Sequence, residues 1–161
     1  MKWLMCLVTV FALWLLLFWS VETPVLAAGL FFALIVGTAL GDIFPDRLHL
    51  LLDPRRWLFL VIYLPYFFAY CIRANLDVAV RVIHPDVPIR PGIVKVRTSL
   101  TSDMAKTFLA NSITLTPGTL TVDIDGQDFY VHWINIDTDD TQKRTAEICG
   151  RFEPLLRRIF E

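Results

Sequence analysis

Residues Trp57 to Ile83 read WLFLVIYLPYFFAYCIRANLDVAVRVI. The first 16, through Ile72, carry no charge. Beyond them Leu76, Val80 and Ile83 stay at helical spacing, while Arg73, Asp77 and Arg81 recur every four residues on another face. The pattern predicts a helix that is apolar at its start and two-faced at its end, so that it leaves the membrane and runs on into water. Pro65 lies in the centre of the charge-free part and costs a backbone hydrogen bond. That part is therefore read either as a kinked span or as a helix lying in the interface.

Upstream, the chain is more apolar still. Trp3 to Val21 holds no charge over 19 residues, which at about 1.5 Å per residue approaches the ~30 Å hydrocarbon thickness. Glu22-Thr23-Pro24 interrupts it, and Val25 to Gly41 is again uncharged for 17 residues, so a tight hairpin is expected. Asp42 to Arg56 is a polar connector with two prolines. Residues 1–83 thus form a membrane α-helical half of two to three transmembrane helices, with spans near 3–21, 25–41 and 57–72 and a helical extension to 83. Lys2 and the Val25-Leu26-Ala27 tripeptide imitate a secretory leader, but a second apolar run follows at once where a polar mature chain would begin. Gly29, Gly37 and Gly41 offer close packing between membrane helices.

Composition agrees. Of 161 residues, 55% are hydrophobic and 19% charged, with a net charge of −1, too apolar for an average soluble domain and without the basic field that nucleic acid requires. The three cysteines, Cys6, Cys71 and Cys149, show neither disulfide nor zinc spacing. Arg73, Arg81, Arg90, Lys95 and Arg97 outnumber Arg47, Arg55 and Arg56 of the connector, which favours a cytoplasmic C-terminal half.

At His84 the character changes. Residues 84–92 hold three prolines and read as a linker, and 93–161 read as a small cytoplasmic α+β domain of order β-α-β-β-α. Ile93 to Thr98 alternates as a strand, and Ser102 offers an N-cap to a helix with Met104, Ala105, Phe108, Leu109 and Ile113 at four-residue spacing. Pro117-Gly118 forms the centre of a type II turn, and Leu120, Val122 and Ile124 line one face of the next strand. Asp125-Gly126 turns the chain back into Phe129 to Ile134, with Phe129, Val131 and Trp133 on one side. A final helical region from Asp140 to Phe160 carries Ile148, Phe152, Leu155 and Ile159 as a stripe, with a restart around Gly150 and Pro154. Such a domain has a thin core, and this stripe is expected to cover one sheet face.

Catalytic chemistry is sparse. His49 and Asp53 make an HxxxD, a spacing that arises easily by chance and here abuts Pro54. His132 reads as a half-buried structural histidine, His84 as a helix C-terminal residue, and Asp123, Asp125 and Asp128 as turn formers. No phosphate loop, nucleophile elbow or metal-ligand spacing occurs, so no catalytic residue, metal or cofactor is expected. The apolar stretches contain no Asp, Glu, Lys, Arg or His, whereas ion and proton pathways through bilayers are lined by such groups.

NSITLTPGTL from Asn111, followed by VDI and YVHWI and preceded by RANLDVAVRVIHPDVPIRPGIVKV from Arg73, resembles the E-type subunit of the Mrp-type (also called Mnh or Pha) multisubunit cation/proton antiporters of prokaryotes. The resemblance implies a small non-catalytic component of a large plasma-membrane assembly that exchanges sodium or potassium for protons. Its partners would be other subunits, which hold the proton-translocating lysines and glutamates, and the lipid bilayer. The motif positions it implies are Asn111, Ser112, Thr114, Thr116, Pro117, Gly118 and Thr119, with His132 and Trp133, and with Asn75, Asp77, Pro85, Pro91 and Gly92. Their expected role is structural or in assembly, the hydroxyls and amide satisfying backbone groups where helix passes to strand. Two alternatives stand beside this: oxygen ligation of a transported cation by the same motif, and a free-standing membrane-anchored binding module.

Overall fold

The computed structural model describes residues 2–42 and 53–161, so His49 and most of the expected connector lie outside the described residues. The chain divides into two compact units, 1–46 and 47–161. The first is a helical hairpin of α1 (Lys2–Phe18) and α2 (Thr23–Leu40), the latter opened by a proline in its first turn. Gly29, Ala33 and Gly37 are the buried residues of α2. They recur every four residues and let α1 approach closely: a Cβ on Gly29 would stand 2.5 Å from the Trp14 ring. Trp14 also donates its indole N–H to the Val25 carbonyl at 3.0 Å and stacks on Phe32 at 5.4 Å. The small-residue stripe thus closes the hairpin on itself.

The second unit contains α3 (Pro54–Ile83), β1 (Gly92–Arg97), α4 (Asp103–Leu115), β2 (Thr119–Asp125), β3 (Asp128–Trp133), the short α5 (Thr141–Thr145) leading into a π-turn at Ala146–Gly150, and α6 (Glu153–Phe160). The strands form one antiparallel sheet in the order β1-β3-β2. Val94 and Val96 of β1 pair with Val131 and Phe129 of β3, and all four side chains are buried on one face. Ala105, Leu109 and Ile113 of α4, and Phe152, Leu156 and Ile159 from the C-terminal helical segments, cover that face. The C-terminal stripe therefore runs through Leu156, with Leu155 half-buried.

The strand β2 departs from simple alternation. Its register shifts between Thr121 and Asp123, so Leu120 stands opposite the exposed His132 whereas Ile124 stands opposite the buried Phe129. A bulge at Val122 thus puts Leu120 and Ile124 on opposite faces of the sheet.

Among the described residues, two helices are long and apolar enough to cross a membrane: α2, 18 residues with mean hydropathy 2.1, and α3, 30 residues with a window of 1.6. The 17-residue α1 is shorter. Asp53 caps α3, its carboxylate accepting from the Arg55 N–H at 2.9 Å, which gives this half of the HxxxD pair a structural task. Helix α3 continues through Pro65 and packs along α6. Tyr63 is 5% exposed and belongs to the domain core, with Phe67 and Tyr70 packed against that core and all three rings around Phe152. The Ser112 hydroxyl donates to the Phe108 carbonyl at 2.6 Å, so in its bond with Ser112 the Tyr63 hydroxyl is the donor.

At the start of α3, the Arg56 guanidinium donates to the backbone carbonyls of Ile159 (2.8 Å) and Glu161 (3.2 Å), neutralising the exposed C-terminal end of α6. The Glu161 carboxylate in turn accepts from the backbone N–H groups of Thr101 (2.5 Å) and Ser102 (2.9 Å). Burial works to raise the Glu161 pKa, but these bonds and the Arg157 charge outweigh it and hold the carboxyl below its ordinary 4.5.

Two outcomes follow for stability. Phe152→Ala removes the ring on which Tyr63, Phe67 and Tyr70 converge and is expected to cost about 3–5 kcal/mol, read by chemical unfolding of the full chain in detergent. A carboxyl with a lowered folded-state pKa stabilises above its unfolded value, and that contribution is lost as pH falls through the folded one. Glu161→Gln should therefore lower stability by about 1 kcal/mol at pH 7, and the gap to the parent should close as the solution is acidified below 4.5.

Candidate functional site

The segment from Asn111 to Thr121 is where helix passes to strand, and its hydroxyls do the joining. Among the last four residues of a helix the carbonyls have no intrahelical donor. Here the Thr116 hydroxyl donates to the Ser112 carbonyl at 2.7 Å, the Thr119 hydroxyl to Ile113 at 2.6 Å, and the Cys71 thiol of α3 approaches the Leu115 carbonyl at 3.8 Å. The Thr119 N–H bonds the Thr116 carbonyl at 3.2 Å, closing a turn whose third residue, Gly118, has φ +90°. That angle requires glycine in a type II turn. The Gly118 carbonyl then accepts from Ile134 N at 2.9 Å, which ties the turn to the chain leaving β3.

This turn forms one wall of a groove of about 550 Å³. Opposite it stand Arg73, Asp77 and Arg81 of α3, with Asn135, Asp137, Glu147 and Arg151 on the remaining sides. Charge is balanced within it. The Arg81 Nε bonds Asp77 at 2.8 Å, and its Nη1 reaches the Pro88 carbonyl at 3.0 Å. The buried Asn135 amide donates to Asp137. The Arg151 guanidinium lies 4.2 Å from the Tyr70 ring centre, and burial lowers its pKa from the usual arginine value.

Of the residues singled out from sequence, Thr116, Pro117, Gly118, Thr119, Trp133 and Asp77 meet at this groove. Ser112 is buried beneath it against Tyr63, whereas Asn111 and Thr114 are exposed on α4. The exposed Asn75 donates to the Cys71 carbonyl at 2.9 Å. Pro85 and Pro91 are exposed in the connection to β1, and Gly92 pairs with Trp133 at the sheet edge. His132 is exposed on the outer sheet face, not half-buried. Arg151, Glu147, Asn135 and Asp137 carry no local signal, because it is the fold that brings them to the Pro-Gly turn.

Among the described residues no cluster of three His, Cys, Asp or Glu side chains is placed to hold a metal ion. Burial pushes the Cys149 thiol up to about 12, far from a reactive thiolate. Gly118→Ala would force a side chain into positive φ and place its Cβ 3.0 Å from Ile134. A loss of about 1–2 kcal/mol in the same unfolding measurement is expected, against a change within about 0.5 kcal/mol for Asn111→Ala on the exposed face of α4.

Comparison with known proteins was consistent across sequence and structure. A family model described as "Na+/H+ ion antiporter subunit" matches residues 7–159. The E-type subunit of the Na(+)/H(+) antiporter of Alkalihalophilus pseudofirmus is 38% identical over 93 residues, covering 58% of this chain and 59% of that protein. The corresponding E1-type protein of Staphylococcus aureus is 29% identical over 150 residues, 92% of this chain and 91% of that one. A chain from the structure of the membrane-bound sulfane sulfur reductase, an archaeal respiratory membrane complex, is 42% identical and superposes with a TM-score of 0.75 over 99% of both chains. A match of this extent makes the chain a member of the family of Na+/H+ antiporter E-type subunits.

Proposed function

We propose that this chain is a non-catalytic accessory subunit of a multisubunit monovalent cation/proton antiporter of a prokaryotic plasma membrane. One observation carries the reading. The stretches from Trp3 to Val21 and from Thr23 to Gly41 hold one ionisable side chain type between them, the thiol of Cys6, and no acid or base. A proton or cation crossing the bilayer needs groups that bind and release charge, so the partners supply them and this chain supplies packing. In this role α1 and α2 cross the membrane as a hairpin, and the C-terminal domain lies in the cytoplasm, in keeping with Arg73, Arg81, Arg90, Lys95 and Arg97. The Pro-Gly turn and its charge-balanced groove serve assembly with neighbouring subunits.

The groove of about 550 Å³ also supports a second reading, a free-standing membrane-anchored module that binds a ligand there. One experiment separates the two. The tagged chain is expected to co-purify with multi-span partners, and its deletion to lower sodium- or potassium-dependent proton exchange in everted membrane vesicles. Purified alone into liposomes, it should give no exchange. Exchange by the isolated chain would overturn the accessory role, and a chain that purifies without partners while exchange persists in its absence would favour the binding module.

A further inference from the structure

Helix α3 is held to the α/β domain along its apolar stretch. Arg56 grips the end of α6, Tyr63 bonds Ser112, Tyr66 donates to the Arg151 carbonyl at 3.1 Å, and the Cys71 thiol approaches the Leu115 carbonyl at 3.8 Å. From Arg56 to Cys71 the helix rises about 22 Å, most of the ~30 Å hydrocarbon thickness. A spanning α3 would therefore carry the attached sheet, its open strand edges and the Glu153, Arg157 and Glu161 cluster into lipid. Unpaired backbone groups and charges there cost several kcal/mol each.

The opposite stripe of α3 is as unsuited to water. Leu58, Val61, Phe68, Ile72, Leu76 and Val80 are each between 60% and 65% exposed, and no charged residue interrupts them along that line. A contiguous apolar face of this length marks an interaction surface. Its chemistry points to lipid. By helical spacing Arg55 and the exposed Arg73, which also borders the groove, share one flank of that stripe and Trp57 lies on the other, which sets cationic and amphipathic side chains level with anionic phosphates on either side of an apolar keel. Residues 41–53 separate α3 from the end of α2, a tether that reaches at most about 45 Å, so in a chain whose hairpin crosses the bilayer the start of α3 stays within that reach of the membrane surface.

We infer that α3 is an in-plane membrane helix: its outward stripe rests in the headgroup and acyl boundary of an anionic bilayer, and the α/β domain rides on its other side. This rests on the reading of α1 and α2 as membrane-crossing. The hairpin then accounts for both crossings of the chain.

Depth measurement tests it. Full-length single-cysteine variants Leu58→Cys, Phe68→Cys, Ile72→Cys and Val80→Cys are prepared in a Cys71→Ala background, where Cys6 and Cys149 are buried. They are nitroxide-labelled and reconstituted with partners into phosphatidylglycerol-containing bilayers, and immersion is read by oxygen against nickel-chelate accessibility. The expected result is one shallow depth for all four sites, about 5–10 Å below the phosphates. A depth that runs through the bilayer centre between Leu58 and Val80 would make α3 a span and overturn the inference. So would labels accessible to the nickel chelate throughout, or labels shielded from both reagents by a protein neighbour. Leu30→Cys on the exposed face of α2 is the control, because an aqueous reading there would refute the hairpin crossing and not the orientation of α3.

Discussion

The aromatic contact between α3 and Phe152 is the constraint on which the second unit depends. A sheet of three strands and two short helical layers encloses little volume, and its core would be marginal without a further layer. Tyr63, Phe67 and Tyr70 supply that layer, converging on one ring from one helix face. Edge-to-face geometry between such rings contributes about 0.5–1.5 kcal/mol per pair beyond the area they bury. A stretch that hydropathy assigns to lipid thus completes the core of the α/β domain with one of its faces.

The Pro-Gly turn shows the same economy at smaller scale. Thr116 and Thr119 occupy helix-terminal carbonyls with their hydroxyls, and Gly118 takes the one backbone angle that lets β2 start immediately. Hydroxyl-rich sequence at a helix exit is therefore explained by backbone hydrogen bonding before any ligand is invoked. The groove beside the turn draws arginines and carboxylates from α3 and from the C-terminal helical segments, so its existence depends on the aromatic contact holding those segments together.

How much of this was legible in the residues varies with contrast. The hairpin, the strand order of polarity in β1 and β3, and the turn at Gly118 all stand out, because apolar and polar positions alternate or because proline and glycine mark the break. The inward stripe of α3 does not: from Trp57 to Ile72 both faces are apolar, so Tyr63, Phe67 and Tyr70 have no polar neighbours against which a period is visible. The bulge at Val122 is equally silent, since VDI continues a strand pattern whether or not a residue is skipped. The glycine stripe of α2 was visible as a packing surface, but its partner was not; the Trp14 indole over Gly29, with Trp3 and Leu7 against Gly37, assigns it to α1. At the groove, Thr116 to Thr119 and Asp77 were within reach of sequence reading, whereas Arg151 depends on a tertiary contact that no local spacing encodes.

The Arg56 grip on the backbone of Ile159 and Glu161 joins residues 103 and 105 positions apart. At a synthesis rate of about 5–20 residues per second, Arg56 is made roughly 5–20 s before these two carbonyls exist. Ser112, which follows Tyr63 by 49 residues, reaches the helix well before the end of α6 does. The order of manufacture, first the helix and then the body that settles on it, is thereby written into the connectivity of the chain.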